Sequence, residues 1–198
     1  MKLIAATKNK GKVTELRAIL GELGYDVVTF SEAGFTDNGD VEETADTFEG
    51  NARQKALGWQ QRCGGAAVIA DDSGLEVDAL NGAPGIYSAR YCEGTDRDRR
   101  LKLLSELEGI AMPQRTARFV SAVCCVMEDG TVIEARGTCE GFIANEEHGD
   151  HGFGYDCIFI EQTTGQSFGL LSEAQKDAVS HRGNALRALA LKLKDYQR

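Results

Sequence analysis

The segment Ala66-Ala67-Val68-Ile69-Ala70-Asp71-Asp72-Ser73-Gly74 joins an apolar run to two adjacent carboxylates. The run from Ala66 to Ala70 predicts a buried strand that stops at Asp71. In α/β proteins, active-site groups often follow the end of a strand. Asp-Ser-Gly is also typical of a solvated turn in which Asp72 or Ser73 bonds the backbone. The junction is therefore the first candidate site, and its surroundings decide between the two interpretations.

Upstream of this junction, the pattern predicts a strand, a polar loop and a helix, followed by a second strand and a second helix. Leu3–Ala6 is the first strand, and Gly24 ends the first helix. Tyr25–Phe30 is the second strand, and Thr47 caps a second helix that ends before Gly64-Gly65. The apolar side of the first helix carries Val13, Leu16, Leu20 and Leu23.

Downstream, helices and strands continue to alternate without a repeat or a low-complexity linker. The predicted elements are a helix Asp96–Leu107, a hairpin of Ala117–Met127 and Thr131–Ala135 around Asp129-Gly130, a strand Ile158–Ile160, and a final amphipathic helix after Ser180. This mixture predicts an α/β (mixed α+β) fold with a central mixed sheet and flanking helices. We expect a single domain, residues 1–198, made of two sub-lobes with the active-site cleft between them.

Charge and composition limit the classes of partner. The formal net charge is −9, from 31 acidic and 22 basic side chains, and a field of that sign repels nucleic-acid phosphates and anionic membranes. The N-terminal residues show no signal-peptide core, and no apolar run approaches the roughly 18 residues of a membrane span. We therefore expect a cytoplasmic protein with no nucleic-acid or membrane partner. The six cysteines form no CxxC pair, which predicts reduced thiols rather than a zinc or disulfide framework.

The loop Thr7-Lys8-Asn9-Lys10-Gly11-Lys12 places three lysines at the predicted N-terminus of a helix. The helix dipole and exposed backbone N–H groups there favour an anion, which makes the loop a candidate phosphate site. It is not the P-loop pattern GxxxxGK[ST], because Ala6 stands at the first glycine position and Val13 follows Lys12. A solvated basic turn explains the same residues equally well.

An acidic segment supports a functional interpretation of the Asp71-Asp72 junction. Ser31–Gly50 contains seven acids and no cation, and Glu42 and Glu43 are among the acids. Mg²⁺ binds a few carboxylates and keeps several waters, while the phosphates of a substrate supply further oxygens. The acidic ligands and the lysine loop together therefore indicate a metal ion and a phosphate group.

Two motifs near the C-terminus carry little information on their own. His148, Asp150, His151 and Cys157 are residue types that bind zinc, but their spacing fits no structural zinc pattern. Ser180-His181-Arg182-Gly183 offers a helix cap with an imidazole and a guanidinium, which could be only a cap with two exposed side chains.

The chain contains several short motifs in one order: Thr7-x-Asn9-x-x-Lys12, Glu42-Glu43-Thr44, Asn51-Ala52 with Lys55-Ala56, Ala70–Leu75, Gly82–Tyr91, Gly152–Asp156, Lys176 and Ser180–Gly183. Over essentially the whole chain, that order resembles the inosine triphosphate pyrophosphatase family, which includes the bacterial dITP/XTP pyrophosphatases. The resemblance implies a homodimeric, Mg²⁺-dependent hydrolase with a long mixed sheet. Its substrates would be non-standard purine nucleoside triphosphates (ITP, dITP, XTP), converted to the monophosphate and pyrophosphate.

The resemblance also implies roles for individual residues. Triphosphate binding is implied for Thr7, Lys8, Asn9, Lys10, Gly11 and Lys12, and neutralisation of phosphate oxygens for Lys55 and Lys176. Glu42 and Asp72 would hold the metal, Asp72 would also be the general base, and Ser73 would lie beside the substrate. The base pocket would be formed by Phe153, Gly154, Tyr155, Asp156, His181 and Arg182.

One position departs from the family pattern, because many members have Glu-Asn-Ala where this chain has Gly50-Asn51-Ala52. Two other function classes remain as alternatives, a non-catalytic nucleotide sensor and a phosphomonoesterase. We expect a sensor to lack the metal carboxylates, whereas Glu42, Asp71 and Asp72 are present here. A phosphomonoesterase would release orthophosphate instead of pyrophosphate.

Overall fold

A six-stranded mixed sheet organises the protein in the computed structural model, which describes residues 1–36, 39 and 41–196. The strands are β1 (Lys2–Ala5), β2 (Asp26–Val28), β3 (Val68–Val77), β4 (Thr116–Val126), β5 (Val132–Ile143) and β6 (Phe159–Glu161). Their order in the sheet is β2-β1-β3-β4-β5-β6. Strand β1 pairs in parallel with β2 and β3, whereas β5 and β6 are antiparallel. The predicted α/β class with a mixed sheet is confirmed.

Five α-helices accompany the sheet in the described residues: α1 (Lys10–Gly21), α2 (Phe48–Arg62), α3 (Asp96–Glu106), α4 (Glu173–Val179) and α5 (His181–Tyr196). Local sequence explains where the first four begin. The side chains of Asn9, Thr47, Thr95 and Ser172 accept backbone N–H groups of the first turn of α1 to α4. The predicted cap at Thr47 is confirmed.

The chain divides into two compact units. The first unit comprises Met1–Asp72, Ser121–Gly137 and Arg182–Arg198, and the second comprises Ser73–Val120 and Thr138–His181. The single domain and the cleft between two sub-lobes, both expected from the sequence, stay predictions.

The core of the first unit brings helices α1 and α5 together with the strands. Burial of these apolar side chains is the main driving force for packing two amphipathic helices onto a sheet. The cluster includes Val13, Leu16 and Leu20 of α1, Leu186, Leu189 and Leu193 of α5, and Leu3, Ala5 and Ile69 of the strands. The apolar spacing that predicted these two helices is confirmed.

The core of the second unit is rich in aromatic side chains. Phe119, Phe159 and Phe168 pack together, with ring centroids of Phe119 and Phe159 4.7 Å apart. Leu75, Leu103 and other apolar residues complete this cluster. It supports the loop that follows Gly149.

Strand β3 does not stop where the sequence pattern predicts. It continues through Asp71 and Asp72 to Val77, so the predicted end at Asp71 is wrong. Aspartate is disfavoured in strands, but both carboxylates have polar partners here, and these tertiary contacts outweigh the local preference. Successive residues of a strand point to opposite faces of the sheet. The side chains of Asp71 and Asp72 therefore lie on opposite faces of the sheet.

The predicted acidic segment is described only in part, because Asp37 and Asp40 lie outside the described residues. Within it, Glu32 bonds the guanidinium of Arg17 and the backbone of Thr29. In the described ranges, no helix has both the length and the apolar character needed to cross a membrane.

Candidate active site

Asp71 is the centre of a buried ion-pair network in the first unit. Its Oδ2 lies 2.8 Å from Lys12 Nζ and 3.4 Å from Arg182 Nε, and Arg182 also pairs with Glu15. The side chains of Asp71 and Arg182 are each 2% exposed. Burial alone would raise the pKa of Asp71, but the surrounding cations, Lys12 first, hold it well below its usual range. Asp71 is therefore a fixed anion that connects α1, β3 and α5.

Asp72 has a different environment. The Nδ2 group of Asn51, on α2, donates to Asp72 Oδ2 at 3.1 Å, and Asn51 is completely buried. Burial raises the pKa of Asp72, the hydrogen bond from Asn51 opposes the rise, and the nearby charge of Glu43 adds to it. A carboxylate with a raised pKa is a stronger base, so Asp72 fits the role of general base better than Asp71 does.

Residues 41–45 lie along α2 and are held there by hydrogen bonds. The N–H of Thr44 donates to Gln54 Oε1 at 3.0 Å, and the Gln54 Nε2 group donates to Thr44 Oγ1 at 3.2 Å. The N–H of Ala45 donates to Asn51 Oδ1 at 3.0 Å. The segment is therefore docked on α2 at two successive residues.

This docking distinguishes Glu43 from Glu42. The Oε1 atom of Glu43 lies 2.6 Å from Lys55 Nζ, and its charge contributes to the raised pKa of Asp72. Glu42 is exposed. The predicted metal ligand Glu42 is thus placed less favourably than its neighbour Glu43, which is half-buried beside Lys55.

Lys12 and Lys55 are largely buried cations. Lys55 Nζ donates to the carbonyl of Asp71 at 3.1 Å in addition to its pair with Glu43. Burial alone would lower the pKa of Lys55, but the charges of Asp71 and Glu43 raise it. Burial lowers the pKa of Lys12 although Asp71 opposes this. Both ammonium groups are held in place by carboxylates before any anion binds.

The loop before α1 satisfies part of its own hydrogen bonding. Asn9 Oδ1 accepts from the N–H of Gly11 at 2.9 Å and from the N–H of Lys12 at 3.3 Å. Two of the N–H groups at the predicted helix N-terminus are therefore capped within the protein. Lys8 and Lys10 are exposed, so side-chain cations are the anion-attracting feature of this loop. A role of these residues in substrate binding stays a prediction.

A cavity of about 300 Å³ lies between this loop and the side chains of Glu43 and Lys55. Its lining consists of Thr7, Lys8, Glu43 and Lys55 together with Ala6, Phe30, Val41 and Trp59. The described part of the chain contains no group of three or more His, Cys, Asp or Glu side chains placed to hold a metal. Mg²⁺ nevertheless fits the donor set, because it is commonly held by one or two carboxylates and completes its shell with water and substrate phosphates. Glu43 and Asp72 are the candidates.

In the second unit, Lys176 lies with residues of the predicted base pocket. Its Nζ is 2.8 Å from Asp156 Oδ2 and 5.0 Å from the centre of the Phe153 ring. Lys176 and Asp156 are buried, whereas Phe153 is 42% exposed. An exposed aromatic face can stack on a nucleobase. These contacts favour a role for Lys176 beside the base rather than the predicted role on phosphate oxygens.

Three other residues of the predicted base pocket make contacts within the second unit. The hydroxyl of Tyr155, a buried residue, donates to the carbonyl of Ser88 at 2.9 Å. Gly154 bonds through both its N–H and its carbonyl to side chains of α3. The ring of His181 stacks on Phe119 with centroids 4.7 Å apart. The polar groups of Tyr155 and Gly154 are thus engaged by the framework.

Residues 3–192 match the family model described as the Ham1 family. The chain belongs to the Ham1 family. Proteins named dITP/XTP pyrophosphatase are similar to this Ham1 chain over most of their length. The one from Desulforamulus reducens is 48% identical over 191 residues, which cover 94% of this chain and 92% of that protein. The one from Haemophilus influenzae is 46% identical over 196 residues, which cover 97% and 98%.

Solved structures of Ham1 proteins share the fold. The Staphylococcus aureus Ham1 protein has a TM-score of 0.87 and 38% identity, and the match covers 99% of this chain and 100% of that one. A HAM1 protein from Coxiella burnetii has a TM-score of 0.87 and 35% identity, with coverage of 98% and 99%.

The predicted site residues of this Ham1 chain fall into two groups, one in each unit. The first unit holds Thr7, Lys8, Asn9, Lys10, Gly11, Lys12, Glu42, Lys55, Asp72 and Arg182. The second holds Ser73, Phe153, Gly154, Tyr155, Asp156, Lys176 and His181. Arg182, predicted to read the base, pairs with two carboxylates in this structure.

Sequence reasoning gave no role to two residues that hold site side chains of this Ham1 protein. Asn51 bonds Asp72, and Glu15 pairs with Arg182. The signal for Asn51 is present in the sequence, because an amide on the apolar side of a helix must find polar partners when it is buried. Glu15 follows Lys12 by three residues on α1 and so shares its side of the helix.

Proposed function

We propose that this protein hydrolyses non-canonical purine nucleoside triphosphates, dITP, XTP and ITP, to the nucleoside monophosphate and pyrophosphate in the presence of Mg²⁺. The similarity to proteins named dITP/XTP pyrophosphatase over nearly the full chain supports the reaction. The structural observation that carries it is the arrangement around Asp72, a buried carboxylate that accepts from Asn51 at 3.1 Å, while Lys55 Nζ lies 2.6 Å from Glu43 Oε1 and 3.1 Å from the carbonyl oxygen of the adjacent Asp71. Such a group combines a base, cations and a second carboxylate.

In the proposed reaction, a water attacks the α-phosphorus and the bond from that phosphorus to the bridging oxygen of the β-phosphate breaks. Asp72 accepts a proton from the attacking water, and pyrophosphate leaves with the electron pair of the broken bond. Lys12 and Lys55 neutralise negative charge on the phosphate oxygens. Phosphoryl transfer of this kind depends mainly on positioning and electrostatic stabilisation.

Glu43 and Asp72 are the residues that would hold Mg²⁺. Bound there, the ion would withdraw charge from the phosphate oxygens and lower the pKa of a bound water. Glu42 is exposed, whereas Glu43 pairs with Lys55 in a segment held on α2 by the bonds of Thr44 and Ala45. We therefore assign the second carboxylate to Glu43.

Base selection is assigned to Phe153, Asp156 and Lys176. Hypoxanthine and xanthine carry a carbonyl oxygen at C6, where adenine carries an amino group. The ammonium of Lys176 is a donor only, so it suits the carbonyl and opposes the amino group. A mismatch of this kind leaves buried polar groups unpaired, and the pocket would reject ATP on that ground. His181 and Arg182 stay proposed members of this pocket.

We further propose that the protein acts as a homodimer in the cytoplasm, with the nucleotide as its only partner besides its own second copy. The resemblance of its ordered motifs to homodimeric pyrophosphatases supports the dimer. The net charge of −9 is unfavourable for binding nucleic acid. Light scattering after gel filtration tests the dimer directly.

Product analysis tests the proposed reaction. The protein is incubated with dITP, XTP, ITP, GTP and ATP, with and without Mg²⁺, and pyrophosphate and orthophosphate are separated by anion-exchange chromatography. We expect pyrophosphate from dITP, XTP and ITP only when Mg²⁺ is present. Orthophosphate as the sole product would indicate a phosphomonoesterase, and nucleotide binding without any product would indicate a sensor. An Asp72→Asn variant, purified identically, is the control for contaminating activity and should be inactive with an unchanged fold.

A further inference from the structure

One buried side chain, Asn51, bonds both the carboxylate of Asp72 and the backbone of Ala45, in the segment that carries Glu43. Its Oδ1 accepts from the N–H of Ala45 at 3.0 Å, and its Nδ2 group donates to Asp72 Oδ2 at 3.1 Å. Asn51 is 0% exposed. A buried amide with both ends bonded is rigid, because any rotation would leave a polar group without a partner.

The chemistry of the two partners fixes which way the amide points. The backbone N–H of Ala45 can only donate, so the amide oxygen of Asn51 must face it. The amide nitrogen is then directed at Asp72, whose carboxylate can accept. Engaging Oδ2 in this way limits rotation of the carboxylate about its Cβ–Cγ bond and thereby sets the direction of Oδ1.

The bond to Ala45 also fixes the residues that carry Glu43. The methyl group of Ala45 packs closely on Gly50, where it occupies the space that a Cβ at residue 50 would need. The close approach of Ala45 to Gly50 and the hydrogen bond to Asn51 act on the same residue, two positions after Glu43. The position of the Glu43 backbone therefore depends on Asn51.

We propose that Asn51 is a positioning residue for the hydrolysis, which sets the geometry between the carboxylates of Glu43 and Asp72 by holding Asp72 directly and Glu43 through Ala45. This inference rests on the proposed function. Asn51 acts through these carboxylates and has no contact of its own with the reacting atoms. Mutation of a side chain that orients metal ligands typically lowers metal affinity or activity by about 10- to 100-fold.

Two substitutions and a matched control separate this role from a general contribution to folding. Asn51→Asp keeps an acceptor for the Ala45 N–H but replaces the donor that faces Asp72 with a second acceptor. Asn51→Ala removes both bonds. Gln60→Ala is the control, because the bond that it removes, from Gln60 on the same helix to the carbonyl of Met127, involves neither residues 41–45 nor the two carboxylates.

Three readouts apply to these variants. For dITP, we expect both Asn51 variants to lose roughly 10- to 100-fold in kcat with a smaller change in KM. We expect Mn²⁺, measured by electron paramagnetic resonance without nucleotide, to bind about 10-fold or more weakly to Asn51→Ala. Asn51→Asp is compared in kcat alone, because it adds a carboxylate beside the proposed metal ligands. Thermal unfolding reports the fold. Gln60→Ala should match the wild type in kcat and in Mn²⁺ affinity, and a loss of kcat in Gln60→Ala equal to that of the Asn51 variants would overturn the proposal.

A measurement on Asn51 itself keeps the proposal testable if both Asn51 variants fail to fold. The side-chain NH₂ resonances of Asn51 in the wild-type protein should shift when Mg²⁺ is added and should differ in Asp72→Asn. Resonances that respond to neither change would overturn it. If the wild type releases no pyrophosphate from any nucleotide, the proposed function fails, while Mn²⁺ affinity and the NMR signals still decide the role of Asn51.

Discussion

Arg182 and Asp71 form an ion pair in which both side chains are 2% exposed, with Arg182 Nε 3.4 Å from Asp71 Oδ2. The guanidinium also contacts Glu15 on α1. The first turn of α5 is thereby connected to β3 and to α1 through one cation. Arg182 therefore has a structural function in the first unit, whatever it contributes to base recognition.

The first prediction concerns the stability that this cation provides. Arg182→Ala should lower the free energy of unfolding by about 3 kcal/mol or more, because the buried carboxylates of Asp71 and Glu15 lose a compensating charge. Arg136→Ala is the matched control: the Arg136–Glu49 pair is 46% and 40% exposed, and such pairs contribute about 0 to 1 kcal/mol. Urea unfolding measures both. Small and equal losses in the free energy of unfolding of the two variants would show that the charge of Arg182 does not stabilise the fold.

The same network predicts how stability depends on pH. Burial acts to raise the pKa of Asp71, but Lys12 and the other cations outweigh it and leave the pKa well below the ordinary value of 3.8. A carboxylate with a lowered pKa in the folded state contributes stability that is fully present above the unfolded pKa and is lost as the pH falls toward the folded pKa. Asp71→Asn should therefore destabilise the protein at pH 7, and the difference from wild type should shrink below about pH 4. A difference that stays constant down to pH 2 would contradict the assignment of this pKa shift.

The metal assignment gives a third prediction. Glu43→Gln should raise the Mg²⁺ concentration needed for half-maximal activity by about 10-fold or more, because one of two carboxylate ligands loses its charge. Glu42→Gln is the control one residue away, and its Mg²⁺ requirement should equal that of the wild type because the side chain is exposed. The reverse result would restore Glu42, the ligand that the sequence resemblance implies.

The fold could be predicted where local chemistry is decisive. The apolar spacing of Val13, Leu16 and Leu20 and the cap at Thr47 determine helices that the structure confirms. The end of β3 could not be predicted, because Asp71 continues the strand only by virtue of partners that come from distant parts of the chain. Arg182 is 111 residues away in sequence. Patterns within a short window contain no information about such contacts.

The arrangement of the candidate site also depends on contacts that a short stretch of sequence does not show. Residue types revealed an acidic group and a basic loop, but not which of Glu42 and Glu43 faces Asp72. That choice follows from how residues 41–45 dock on α2. Likewise, the resemblance implies substrate contacts for Tyr155 and Lys176, whereas their bonds to Ser88 and Asp156 appear only when the second unit is folded.

The departure at Gly50 leads to a fourth prediction. Gly→Ala inside a helix normally stabilises by about 1 kcal/mol, but a Cβ at residue 50 would lie 2.5 Å from Ala45 Cβ and 3.0 Å from Thr47 Oγ1. Gly50→Ala should therefore cost about 1 to 3 kcal/mol in the free energy of unfolding, as overpacking does. Ala45→Gly in the same chain should restore most of the loss, since it removes the Cβ atom that the new methyl group at position 50 would meet.

A double-mutant cycle in urea measures this coupling between residues 45 and 50. Additive effects of the two substitutions, or a Gly50→Ala variant more stable than wild type, would contradict the prediction. Close packing of Ala45 on Gly50 also gives a structural reason for the departure from the resembled family pattern at this position. The methyl group of Ala45 occupies the space that the Cβ of a larger side chain at position 50 would need.

The last prediction compares two lysines that the sequence resemblance treats alike. Lys12 is paired with Asp71, whereas Lys176 is paired with Asp156 under the exposed ring of Phe153. Lys12→Ala should lower kcat/KM for ITP, XTP and ATP by a similar factor, because every triphosphate presents the same charge. Lys176→Ala should instead lower the ITP-to-ATP ratio of kcat/KM by roughly 10-fold, because the lost ammonium donates to a C6 carbonyl and opposes a C6 amino group. Steady-state kinetics on the three nucleotides provides both ratios, and thermal unfolding checks that each variant is folded. If Lys176→Ala slowed ITP and ATP equally, its ammonium would act on phosphate charge, and the discrimination against adenine would have to come from His181 or Arg182.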